Sequence, residues 1–166
     1  MPDDVTLPSA RVVLVCGVSG SGKTRLARRL EAGGYTRLSS DALLWERAGE
    51  AYAAMSPEAR RKLFMSVNAE LASRLAQMLD AGLRVVVDAP LCKRPQRDAL
   101  RRICADRGID AATIFLDTPL SELQRRLAGR RSTGPDDQIV SPDALASFHS
   151  GFERPAPEEH AIIYID

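Results

Sequence analysis

RVVLVCGVSGSGKT, residues 11–24, decides how the rest of the chain is read. Its first half is an unbroken apolar run, the signature of a strand covered on both faces. Its second half packs glycine and serine tightly and closes on Lys23-Thr24. Gly17, Gly22, Lys23 and Thr24 satisfy the spacing G-x-x-x-x-G-K-[ST]. Glycines let a backbone turn with positive φ and approach a ligand closely. The exposed N–H groups then form an anion-binding nest, reinforced by the positive end of the next helix.

This is the P-loop pattern, in the strand-then-helix context that it requires. It predicts a nucleoside triphosphate site built from Gly17, Val18, Ser19, Gly20, Ser21, Gly22, Lys23, Thr24 and Arg25. Lys23 is placed to reach the β- and γ-phosphates, and the Thr24 hydroxyl to ligate Mg²⁺. ATP and Mg²⁺ are the expected ligands.

Working outward, strands and helices alternate. A helix is predicted from Gly22 to Ala32, ended by Gly33-Gly34, then a short strand over YTRLS (35–39). Ser56-Pro57 reads as an N-cap with proline in the first turn. The helix behind it runs to Ala81, with Leu63, Val67, Leu71, Leu75 and Leu79 recurring every four residues as one buried stripe. RVVVDAP (84–90) and ATIFLD (112–117) read as buried strands around a helix over 95–107. Thr118-Pro119 opens a helix to Arg130. RSTGPDD (131–137) is a loop, Ser141-Pro142 starts a short helix, and AIIYI (161–165) is the last strand. Five strands separated by helices imply an α/β fold, a mostly parallel sheet with helices on both faces.

The 166 residues, 45% of them apolar, suit a single domain over 1–166, with 1–10 a flexible lead-in and 131–140 a lid loop. A net charge of +1 exerts no global pull toward nucleic acid or anionic membrane. Three dispersed cysteines (Cys16, Cys92, Cys104) without a C-x-x-C pair suit a reducing cytoplasm. No apolar run approaches the length of a membrane span. Of 23 basic residues only Lys23, Lys62 and Lys93 are lysines, which makes Lys23 conspicuous.

What happens to a bound triphosphate depends on the C-terminal ends of the strands, which face the same crevice. Asp41 in SSDALLW follows the second strand. It serves either as a base for an acceptor hydroxyl or as the N-cap of a helix over 42–48. Asp88 ends the third strand. It holds a second Mg²⁺ or water, positions an acceptor, or is a turn aspartate before Ala-Pro. Arg125, Arg126, Arg130 and Arg131 end the helix beginning at Thr118. Arg126 and Arg130, four apart, read as lid arginines over a phosphoryl group or as a solvated basic helix end. Trp45, Tyr52 and Met55 belong to an acceptor pocket or to the core. Arg94 and Arg97 fit a surface helix face equally well.

The set VVLVCGVSGSGKTRLARRL, LSSD, GLRVVVDAP with Arg97 following, IFLDTPLSELQRRLAGRR and SPDALASF…FERPAPEE resembles the small P-loop kinases of the zeta-toxin and polynucleotide-kinase-like group. The likeness runs from residue 11 to 166. It implies a three-layer fold with a five-stranded parallel sheet of order 2-3-1-4-5. It implies Asp41 as general base, Arg130 as a lid arginine and Arg97 near the acceptor. Polynucleotide-kinase relatives usually carry arginine three residues after the base, where this chain has Leu44, with Arg47 the nearest candidate. That difference, the near-neutral charge and 5% aromatic content favour a small-molecule hydroxyl over a nucleic-acid 5′-hydroxyl. Gluconate kinases share GVSGSGK but not their usual acceptor segment, and shikimate and adenylate kinases match chiefly at the P-loop. Relatives usually continue past the last strand into an adenine-contacting loop and a closing helix, so the expectation is a minimal or trimmed member. The reading is a cytoplasmic, ATP-dependent phosphotransferase acting on a small-molecule alcohol. The alternatives are a polynucleotide 5′-hydroxyl kinase and a nucleotide-gated regulatory module with slow ATP hydrolysis.

Overall fold

The apolar run after Arg11 forms β1 (Val12–Cys16), and every residue of it is buried. The computed structural model describes residues 9–131, 134–137 and 139–165. Beside β1 lie β3 (Val85–Asp88) and β4 (Ala111–Asp117), with β2 (Thr36–Ser39) and β5 (Ile162–Ile165) at the edges. The order is β2-β3-β1-β4-β5 and every pairing is parallel. Strand β1 sits at the centre because it can be wetted on neither face.

Alternation along β1 divides the core in two. Val13 and Val15 meet Leu26, Ala27 and Leu30 of α1 (Lys23–Ala32) on one face. Val12, Leu14 and Cys16 face α3 (Pro57–Asp80) and α4 (Arg94–Ala105) on the other. The α3 stripe is Val67, Leu71, Leu75 and Leu79, all buried, with Leu63 half-buried at its end. Ser56 caps α3 by accepting from the Ala59 N–H at 3.2 Å. Tyr52 packs against this core and carries the Arg60 guanidinium over its ring at 5.2 Å, so the core reading of Tyr52 holds. The three cysteines carry free thiols, and burial pushes that of Cys16 up to about 12. No helix among the described residues is long and apolar enough to cross a membrane.

Two local differences from the sequence reading bear on the site. Helix α5 covers Leu120–Leu127 and stops before Gly129, whose flexibility disfavours another turn. Arg126 is therefore helical, whereas Arg130 lies beyond the helix end, and the two do not share a helix face. Helix α2 (Ser40–Ala48) is capped by Ser39, whose Oγ accepts from the Ala42 N–H at 3.2 Å. Capping falls to Ser39, and Asp41 sits inside the first turn with its carboxylate available for other work. Between β4 and β5, α5 is followed by α6 (Pro142–Ser150), capped by Ser141. The expected flexible lead-in falls almost wholly outside the described residues, as do Ser132, Thr133 and Gln138 of the expected lid loop.

Candidate active site

The site starts from the glycines between β1 and α1. Gly17 adopts φ +151, and a Cβ there would stand 2.6 Å from Ser21 Oγ and 2.9 Å from the Leu116 carbonyl oxygen. Only a residue without a side chain lets the loop pass so close to the end of β4. Gly22 caps α1 in the left-handed region at φ +96, turning the chain from loop into helix. Lys23 is the first residue of α1. It is 6% exposed, with Nζ donating to the Val18 carbonyl at 3.1 Å. The ammonium is thus folded back across the loop.

A cleft of about 130 Å³ opens over this loop, lined by Ser19, Gly20, Gly22, Lys23, Thr24, Asp41, Arg126, Arg130 and Asp136. Three segments far apart in sequence supply it: the loop with the start of α1, α2, and the stretch of chain that includes α5, Arg130 and Asp136. Burial pushes the Asp41 carboxyl above the ordinary aspartate range. Lys23 and Arg130 pull it back, and the neighbouring Asp88 and Asp136 add to the rise. A carboxylate more basic than usual, beside a phosphate nest, has the character of a proton acceptor.

Arg126 joins α5 to the loop. Its Nε donates to Glu122 at 2.6 Å, and its Nη1 to the Gly20 carbonyl at 3.3 Å. Glu122, held by Arg125 and Arg126 together, has its carboxyl pulled down to about 2. Gly20 meets the same helix at Leu127 and Leu123, so loop and helix pack as one wall.

Five expected site residues stand elsewhere. Arg97 is fully buried. Its Nε and Nη2 donate to Glu159 at 2.7 and 2.8 Å, and its Nη1 to the Leu91 carbonyl at 3.0 Å. With 0% exposure and this set of acceptors, the guanidinium anchors the 157–159 turn to α4. Asp88 is not among the cleft-lining residues. Its Oδ2 accepts from Arg37 Nε and Nη2 at 2.9 and 2.6 Å, so its buried charge is compensated by a guanidinium. Trp45 is half-buried on α2 and is not among the cleft-lining residues, nor is the exposed Arg25 of α1. Val18 is buried and turns its side chain toward Leu123, Leu127 and Leu145.

Two participants escaped the sequence reading. Asp136 lies in GPDD, where the arginines drew attention and the acids did not. Arg37 interrupts a strand whose next residues, Leu38 and Ser39, are buried. A charge in such a place requires a carboxylate partner, and that requirement was the available signal.

Comparison with known proteins follows the same lines. A family model described as an AAA domain matches residues 12–155. The bifunctional enzyme CysN/CysC of Mycobacterium tuberculosis is 30% identical over 129 residues, 72% of this chain. The chain spans only 19% of the length of that relative. A gluconokinase from Sinorhizobium meliloti superposes with a TM-score of 0.63 at 26% identity, over 93% of this chain and 81% of its own. A sugar kinase from a Janibacter species gives 0.67 at 23% identity, over 94% and 85%. The likeness in fold therefore extends well past the loop to which the motif likeness with such kinases is confined.

Proposed function

Since the chain belongs to this AAA domain family and has the fold of a small P-loop kinase, we propose that it transfers the γ-phosphoryl group of ATP to a hydroxyl of a small molecule. The observation that carries the reading is the convergence of Lys23, Thr24, Asp41, Arg126 and Arg130 on one cleft over the glycine loop.

The residues present fit the nucleotide and its cation. The loop from Ser19 to Thr24 offers backbone N–H groups, a folded-in lysine and, in Thr24, a hydroxyl-bearing residue that lines the cleft. Thr24 would hold Mg²⁺, which when bound neutralises charge on the β- and γ-phosphates. Lys23 exchanges its carbonyl partner for phosphate oxygens. Asp41 takes the proton of the acceptor hydroxyl as the acceptor oxygen bonds to the γ-phosphorus. The bond from that phosphorus to the β-phosphate bridging oxygen breaks, and ADP departs. Arg126 and Arg130 face the charge that spreads over the transferring group. The raised proton affinity of Asp41 suits its part, because a base works best when its pKa approaches the working pH.

The acceptor class is drawn from three things: the small cleft, the net charge of +1, and the gluconokinase and sugar kinase among the solved relatives. The test is ATP turnover with a library of sugars, sugar acids and other alcohols. Acceptor-dependent ADP release with a phosphorylated product by mass spectrometry is expected. Lys23→Met should reduce it by about 10²–10³. ADP release that no alcohol stimulates would sink the transferase reading.

A further inference from the structure

Among the described residues, three buried side-chain oxygens have no hydrogen-bond partner: Ser21 Oγ, Ser40 Oγ and Thr118 Oγ1. A buried hydroxyl without a partner costs free energy, and native folds keep few of them. Two of the three belong to residues that line one cavity, and that cavity is not the phosphate cleft.

The glycine loop serves both spaces. Ser19, Gly20, Gly22, Lys23 and Thr24 line the phosphate cleft, whereas Val18 and Ser21 line the second cavity. The second cavity holds about 250 Å³ and shares no lining residue with the first. A space of about 150 Å³ already admits one benzene ring, so a ring with a substituent fits here.

Its walls select by chemistry. Phe115 and Phe152 stack with centroids 5.0 Å apart, and both line the cavity beside Leu116. Phe115 is buried, whereas Phe152 is half-buried and keeps ring surface for a ligand. The fixed charges of the lining cancel: Arg154 Nη1 donates to Asp117 Oδ1 at 2.8 Å, and its Nη2 donates to Oδ2. His149 and Ser150, at the end of α6, complete the wall. An ion meets no uncompensated fixed charge there. A flat aromatic surface and hydroxyls that both donate and accept suit an uncharged ring with an amide edge.

We propose that this cavity is a second small-molecule site, taking an uncharged nitrogen heterocycle whose flat face lies against Phe152 and whose amide edge meets Ser21 and Thr118. It goes beyond the phosphotransfer reading and touches that machinery only at Val18 and Ser21 of the glycine loop.

Nicotinamide is a probe of this class, and nicotinate is its charged counterpart of nearly the same shape. Titrated into the full chain and followed by NMR, nicotinamide should saturate with a Kd of about 1 mM, and nicotinate should bind about tenfold more weakly. Magnetisation transfer should link the probe's ring protons to Phe152. Thr118→Val keeps the volume and removes a hydroxyl that lies outside the glycine loop. Its Tm should hold or rise, because an unpartnered group is gone, while nicotinamide affinity falls about fivefold. Saturating Mg²⁺ with a non-hydrolysable ATP analogue should leave nicotinamide bound. Four results each overturn the proposal: no saturable binding to the folded wild-type chain, equal binding of nicotinate, undiminished affinity in Thr118→Val, or displacement by the analogue. Displacement would give the cavity to the nucleotide and leave the phosphotransfer reading standing. Failure of the analogue to bind at all would overturn that reading alone.

Discussion

Two arginine–carboxylate assemblies sit at opposite ends of the same logic. Around Arg97, every charged group has its counterpart: Glu159 receives Arg97 and Arg101, and its side chain is 2% exposed. Over the glycine loop, Lys23 makes do with a carbonyl, Asp41 is more basic than usual, and Arg126 and Arg130 share an open cleft. Both contain arginines that the sequence marks as candidates. The difference is access to open space. A charge that is paired and sealed holds the fold. Charges of both signs gathered around open space hold a ligand.

The strongest way to break this comparison is Asp41→Asn. The change preserves shape and removes the proton acceptor, so transfer should fall by about 10²–10⁴ with little change in Tm. In the wild type, the acidic limb of kcat/KM should lie above the 3.8 of an ordinary aspartate, since burial raises the Asp41 carboxyl. Full activity of the variant toward an identified acceptor would move the base elsewhere.

Next in size is the sealed assembly. Glu159→Gln leaves the Arg97 charge buried without a counter-ion and should cost about 3–5 kcal/mol of stability. Turnover per folded molecule should stay near wild type, measured below the lowered Tm. Hydrogen bonds from Arg97 draw the Glu159 carboxyl down to about 2, below the ordinary 4.5. Its contribution is therefore complete above pH 4.5 and fades as pH falls from there toward 2. A denaturation series should show wild type losing stability over that range more steeply than Glu159→Gln. Equal slopes would deny the pair its structural weight.

The smallest effect sharpens the boundary between the two. Arg125 is 73% exposed and pairs with Glu122 on the outside of α5. Arg125→Ala should leave Tm and turnover essentially where they are, because a solvated pair contributes little. A large loss of turnover would mean that the outer face of α5 belongs to the site.

Much of the fold was legible because it is local. The β1 run, the glycine loop, the Ser-Pro helix starts and the four-residue stripe of α3 each follow from neighbours in sequence. Boundaries slipped where one residue decides them, as at Gly129, which ends α5 early. The phosphate half of the site was legible for the same reason: its atoms come from eight consecutive residues, Gly17 to Thr24. The other half was only partly so. Asp41 was readable from its place after a strand, but its freedom from capping depended on Ser39.

By itself, then, the sequence determined that a buried strand delivers a glycine loop to the start of a helix, since spacing and side-chain volume suffice for that. It also determined that the strands run parallel, because helices separate them. Tertiary structure alone decided which charges serve the cleft. Arg97 was drawn into the core by Glu159, 62 residues away, Asp88 was claimed by Arg37, 51 away, and Asp136 was brought to the cleft by Arg37, 99 away. Electrostatic partners are chosen by distance in space, and only the folded chain sets that distance.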